Sequence, residues 1–92
     1  LEMEQTLEVE KVDLSLVLGS LVNDYAIFAD SWEISMEAGI EKGLIVCGEY
    51  EKLTRAFSNL LDNALKYHIK GGKVRISAQV SGSMVDIKIA NQ

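Results

Sequence analysis

The chain contains no proline in its 92 residues, so nothing forces a break in any helix it forms. It has one cysteine, Cys47, and one histidine, His68. A disulfide framework within the chain is thereby excluded, and a zinc site would need ligands that are absent. Cys47 lies inside an apolar run and is expected to be a small buried hydrophobe in a strand, in keeping with a reducing cytoplasm. No apolar run approaches the ~20 residues of a membrane span, and no signal peptide opens the chain. A membrane anchor of a longer parent protein would therefore lie outside this segment. Positive charge is scarce: nine Lys and Arg stand against 14 Asp and Glu, for a net charge of −5. That balance argues against nucleic acid held by general basicity, yet leaves room for a polyanionic nucleotide at a local cluster.

What remains is an ordinary globular composition, 48% apolar and 25% charged, in a length that suits one small domain or part of a larger one. Residues 1–10, acidic with sparse apolar spacing, read as a linker from an upstream segment, and 11–92 as the domain. A short edge strand is expected between Leu7 and Leu14. Ser15 is the expected N-cap of a helix reaching about Ser31, with Leu18, Leu21, Val22, Tyr25, Ile27, Phe28 and Ala29 as its buried side. In that helix Gly19 suggests close packing, and Trp32 should plug the exit. Residues 34–40 and 44–47 read as a strand pair joined by the turn Glu41-Lys42-Gly43, the second strand the more fully apolar. Later, Val74, Ile76, Ala78 and Val80 alternate, as do Val85, Ile87 and Ile89, around a Ser81-Gly82-Ser83 hairpin turn. This order predicts an α/β (α+β) two-layer sandwich, a mixed and mostly antiparallel sheet with two helices on one face.

Between the strand pair and the hairpin lies the stretch 53–68, Leu-Thr-Arg-Ala-Phe-Ser-Asn-Leu-Leu-Asp-Asn-Ala-Leu-Lys-Tyr-His. At about 100° per residue it is a helix with two faces. Leu53, Ala56, Phe57, Leu60, Leu61 and Ala64 form an apolar stripe with Leu65 at its edge. Asn59, Asn63 and Lys66 fall within roughly 60° of one another on a separate face, with Tyr67 between that face and the stripe. Two neutral amides one turn apart and a lysine give two oxygen donors and one cation on a single ridge. Mg²⁺ needs only one or two protein oxygens when phosphates and waters supply the rest, and Lys offers a point charge to phosphate. By itself the pattern is more commonly the wet face of an amphipathic helix.

The string Asn59-Leu60-Leu61-Asp62-Asn63-Ala64-Leu65-Lys66-Tyr67 resembles the N box of sensor histidine kinases, members of the Bergerat-fold ATPases. The strand, Gly48 and acidic Glu49 ahead of the helix are similar to that family too, where Asp is the more usual acid. The order of elements from Val12 onward resembles the first part of the ATP-binding catalytic domain, over about 80 of the 92 residues. The resemblance implies a partial Bergerat fold that binds ATP and Mg²⁺. Asn63 would be the Mg²⁺ ligand and Asn59 would sit near the phosphates or hold a bridging water. Lys66 would reach the phosphates and Tyr67 would line the nucleotide pocket. Asn91 falls where the family's D-x-G-x-G box has the Asp that contacts the adenine amine; an Asn there can still accept that bond, more weakly.

The glycine boxes, the lid and a third helix are not in this chain, and neither is an H box. His68 precedes Ile-Lys-Gly and reads as an exposed histidine at a helix end, not as a phosphoacceptor. The resemblance thus implies no catalytic residue here and an inactive chain in isolation. In a full-length protein the phosphoryl group would pass from Mg·ATP to a histidine on a dimerisation domain and then to a response regulator. The sheet face left by the missing helix should be apolar and open to self-association. Two alternatives remain: a degenerate, nucleotide-free interaction domain of the same fold, and an anti-sigma-factor-type serine kinase.

Overall fold

The computed structural model describes residues 9–67 and 71–91; the acidic opening up to residue 8, His68, Lys70 and Gln92 lie outside the described residues. The elements run β1 (Glu10–Asp13), α1 (Leu14–Ser31), β2 (Ser35–Ile40), β3 (Ile45–Gly48), α2 (Tyr50–Lys66), β4 (Lys73–Ser81) and β5 (Met84–Asn91).

Side-chain alternation on β4 and β5 builds the main layer. In register, Ile76 faces Ile89, Ala78 faces Ile87 and Val80 faces Val85, so one face of the hairpin is apolar along its length. Val74, Ile76 and Ala78 are essentially fully buried, and Val85, Ile87 and Ile89 pack partly buried against the same core. The hairpin turns through Gly82 and Ser83 with Gly82 at φ 63°, a conformation that glycine adopts without steric cost. β4 is also joined in parallel by β2, Ser35 opposite Lys73 through Ile40 opposite Ala78. The opposite face carries Glu37, Lys73, Arg75, Asp86 and Lys88. Across it Glu37 meets Lys73 at 2.9 Å and Arg75 at 3.3 Å, and these cations hold its carboxyl below the usual range, the Lys73 hydrogen bond foremost. This outer sheet face is therefore polar, while the helix-facing side is apolar and incompletely covered, with Val80 54% exposed at its far end.

The two strands flanking Gly43 do not pair with each other. β3 pairs antiparallel with β1 in a separate two-stranded sheet, while β2 belongs to the three-stranded sheet. Gly43, at φ 74°, lets the chain swing between them. Two of the three strand pairings are antiparallel, as expected. β3 is also less buried than its composition suggests: Leu44 is enclosed, but Ile45 is 53% exposed and Cys47 is exposed. A two-stranded sheet has only one face to bury, so alternate residues of even an apolar strand remain in water.

The N-cap of α1 is Asp13, whose carboxylate accepts from Leu16 N at 3.2 Å, not Ser15. Ser15 works across the fold: its hydroxyl donates to Glu41 O at 2.6 Å and accepts from Leu44 N at 3.0 Å. The start of α1 is thereby tied to the β2–β3 connection. Leu14, Val17, Leu18, Leu21 and Ala29 are the buried residues of α1. Ile27 and Phe28 are 74% and 57% exposed, so they are not on its core side. Gly19 has open space where a Cβ would be, so no close packing explains it. The helix ends by folding back on itself, with Glu33 N bonded to Asp30 O and Ile34 N to Ala29 O, the Schellman pattern.

Candidate functional site

Helix α2 carries the residues singled out by the sequence. It starts at Glu49, the N-cap residue, whose carboxylate pairs with Lys52 at 3.0 Å. Gly48 immediately before it lets Leu53 pack close, since a Cβ there would come 2.9 Å from Leu53 Cδ1. Phe57, Leu61, Ala64 and Leu65 are buried, whereas Leu60 is 50% exposed and Ala56 is exposed. The buried stripe is therefore turned towards the Ser58 side relative to the one expected. On that side Tyr25 of α1 donates to Asp62 Oδ1 at 2.6 Å and has Ser58 Oγ at 2.7 Å, tying that edge of α2 to α1. Burial, and next the bond to Asp62, push the Tyr25 phenol above its ordinary range.

That rotation leaves Asn59, Asn63, Lys66 and Tyr67 all facing solvent on one side of the helix. Asn59 and Asn63, four residues apart, have Cβ atoms about 5–6 Å from each other, and Asn63 stands in the same relation to Tyr67. Lys66 Nζ sits 5.4 Å from the Tyr67 ring centroid, so the cation leans towards the Asn63–Tyr67 edge. No group of three or more His, Cys, Asp or Glu able to hold a metal occurs among the described residues. Asn63 is exposed, and a carboxamide oxygen is a hard donor of the kind Mg²⁺ accepts.

Asn91 joins this group from the sheet. It lies opposite Val74 in the β4–β5 register, on the face that looks at the helices. Its Nδ2 donates to Ala64 O at 3.0 Å and lies 3.5 Å from Tyr67 O, at the open end of α2. Carbonyl oxygens only accept, so the edge turned to them must be the NH₂ group. Oδ1 is the amide's other edge and takes no hydrogen bond among the described residues. Asn63, Lys66, Tyr67 and Asn91 thus converge on the last turn of α2, with Asn59 one turn back.

The sequence did not indicate a second feature. A groove of about 870 Å³ runs between α1 and α2, lined by Leu21, Tyr25, Phe28, Trp32 and Leu65 with Asp24, Asp62 and Lys66. It touches the asparagine ridge only at Lys66. Trp32, expected to plug the helix exit, is 46% exposed and lines this groove, and it caps the helix through its backbone N–H. The available signal was that α1 is apolar almost all round, more than one buried face requires.

No protein-family model matches the chain. Over 81 residues it is 26% identical to the sensor-like histidine kinase SenX3 of Mycobacterium tuberculosis, covering 88% of this chain and 20% of that protein. Its relatives are sensor histidine kinases. The solved structure of the mycobacterial sensor histidine kinase MprB is similar at TM-score 0.80 and 27% identity, over 91% of this chain and 55% of that one. The catalytic domain of histidine kinase ThkA is similar at TM-score 0.86 and 16% identity, over 94% of this chain and 60% of that one, a likeness of fold. ThkA solved in complex with the response regulator TrrA gives TM-score 0.84 at 18% identity, over 97% of this chain and 27% of that one. The fold is that of a histidine kinase catalytic domain, and the chain spans about a fifth of the SenX3 sensor kinase.

Proposed function

We propose that this chain is the ATP-binding part of a two-component sensor histidine kinase, which in a longer protein transfers a phosphoryl group from Mg·ATP to a histidine. The observation that carries this reading is the exposed ridge of Asn59, Asn63 and Lys66 on α2 within a histidine kinase catalytic-domain fold. Asn63 offers its carboxamide oxygen to Mg²⁺, Asn59 lies towards the phosphates, and Lys66 neutralises phosphate charge. Tyr67 lines the nucleotide pocket and Asn91 Oδ1 accepts from the adenine amine. Mg²⁺, if held by Asn63, would supply positive charge to the phosphates, and the chain's own part is positioning. The partners are a histidine-bearing dimerisation domain and a response regulator; the ThkA–TrrA complex supports the second.

The ridge is open to solvent, so Mg·ATP should bind the chain with an affinity on the order of millimolar, near roughly −4 kcal/mol. Calorimetry tests this together with Asn63→Ala, which should abolish the Mg²⁺ dependence of binding. Micromolar affinity, or an unchanged Mg²⁺ dependence in the variant, would contradict the assignment. The groove between α1 and α2 favours a second reading, a nucleotide-free docking domain of the same fold, since its apolar lining lies apart from the ridge. Exposed Phe28 and Trp32 in that groove also support self-association of the chain, which light scattering over a concentration series would reveal.

A further inference from the structure

A helix leaves its last four carbonyls without intrahelical partners. Backbone N–H groups of Glu33 and Ile34 close α1 from its own following residues. The end of α2 is closed at Ala64 O by a side chain from a distant strand, the Asn91 amide at 3.0 Å. Strand register brings it there: Ile87, Ile89 and Asn91 share one face of β5, and Asn91 is the polar residue ending that apolar row. The turn it closes carries Asn63, Lys66 and Tyr67.

We infer that Asn91 is a positioning residue for the phosphate end of the site: its Nδ2 holds the last turn of α2, and with it Asn63 and Lys66, in the conformation that meets metal-bound polyphosphate. This rests on the nucleotide reading but differs from a base contact, which would use the opposite, oxygen edge of the same amide. An Asp at this position has no N–H to donate, and its charge would oppose the negative end of the helix dipole. The cap is therefore specific to the amide that stands here, and one residue links the base side of the site to its phosphate side.

A probe without a base separates the two roles. The 92-residue chain is titrated with magnesium tripolyphosphate, following the Asn63 side-chain amide signals by NMR, and hydrogen exchange is measured at the Tyr67 amide, which bonds Asn63 O at 3.2 Å. Asn91→Ala and Asn91→Asp should each speed that exchange, by roughly fivefold or more for one lost hydrogen bond, and weaken tripolyphosphate binding by a similar factor. Hydrogen exchange at the β4 amides, which should stay at the wild-type rate in both variants, guards against a variant that fails to fold. Wild-type exchange and wild-type tripolyphosphate binding in Asn91→Ala would overturn the inference, even if adenosine binding were lost. Faster exchange with no tripolyphosphate binding by the wild-type chain would overturn the nucleotide reading and the phosphate role together, leaving a helix cap alone.

Discussion

The hydroxyl of Tyr25 donates to the carboxylate of Asp62 at 2.6 Å, joining α1 to α2. Asp62 lies on the edge of α2 between the buried stripe and Lys66, so this bond sets how far α2 is rolled against its neighbour. Rolled this way, the helix buries Leu61 and Leu65 and turns Asn59 and Asn63 outward. The same roll that makes this bond leaves the two carboxamides on the solvent side.

Tyr25→Phe should cost about 1 kcal/mol of stability, the value of a partly exposed hydrogen bond to a charged acceptor, read by urea denaturation. The pH dependence has a definite sign. Folded Tyr25 keeps its proton beyond the pH at which an unfolded tyrosine, near 10, releases it. Its contribution is whole below that point and is lost as pH rises through the higher folded value. The wild-type chain should lose stability above about pH 10 more steeply than Tyr25→Phe; parallel alkaline profiles would exclude the upward shift of the Tyr25 phenol, to which burial contributes most and the Asp62 bond next.

Glu33 occupies the left-handed position of the α1 Schellman motif at φ 58°, where a side chain is strained and glycine is not. Glu33→Gly should raise the unfolding free energy by roughly 0.5–1 kcal/mol. Thermal melts would register this as a higher Tm.

Lys66→Met keeps most of the stem and removes the charge. A lysine about 4 Å from a phosphate in water contributes about 1 kcal/mol, so Mg·ATP affinity should fall roughly fivefold. The salt dependence of binding should flatten at the same time. An affinity equal to wild type at low salt would take Lys66 out of the site.

Cys47 is exposed on β3 and should react with a water-soluble thiol reagent in the native chain at close to the rate seen in denaturant. Protection that persists until unfolding would mean that something covers this sheet in solution.

The parts of this structure legible in the sequence are those with a strict local period. β4 and β5 alternate without a slip, and the Asn59–Tyr67 string is a helix whichever way it is rolled, so both the hairpin and the ridge followed from residue order. Depth was harder to read, because burial depends on what lies opposite. Leu60, Ile27, Phe28 and Cys47 are apolar yet exposed: Cys47 lies on a two-stranded sheet covered on one face only, and Phe28 lines the groove between the helices. Pairings across long separations left no local trace: Ser15 with the β2–β3 connection, Tyr25 with Asp62, and Asn91 with the end of α2 join residues 26 to 37 positions apart. Asn91 was located by resemblance, as the residue standing where the family's box has its Asp, but the nitrogen edge it uses became visible only with α2 beside it.

β2 and β4 lie side by side in parallel, although β3 and α2 separate them along the chain. Parallel neighbours cannot be joined by a tight turn, and closing so long a connection is slow relative to forming a hairpin or a helix. The β4–β5 hairpin and α2 can each begin to form from local interactions, but their final mutual docking waits on that closure. The helix that displays Asn59 and Asn63 therefore lies within the crossover that joins these parallel neighbours, so the ridge is part of the longest-range connection in the sheet.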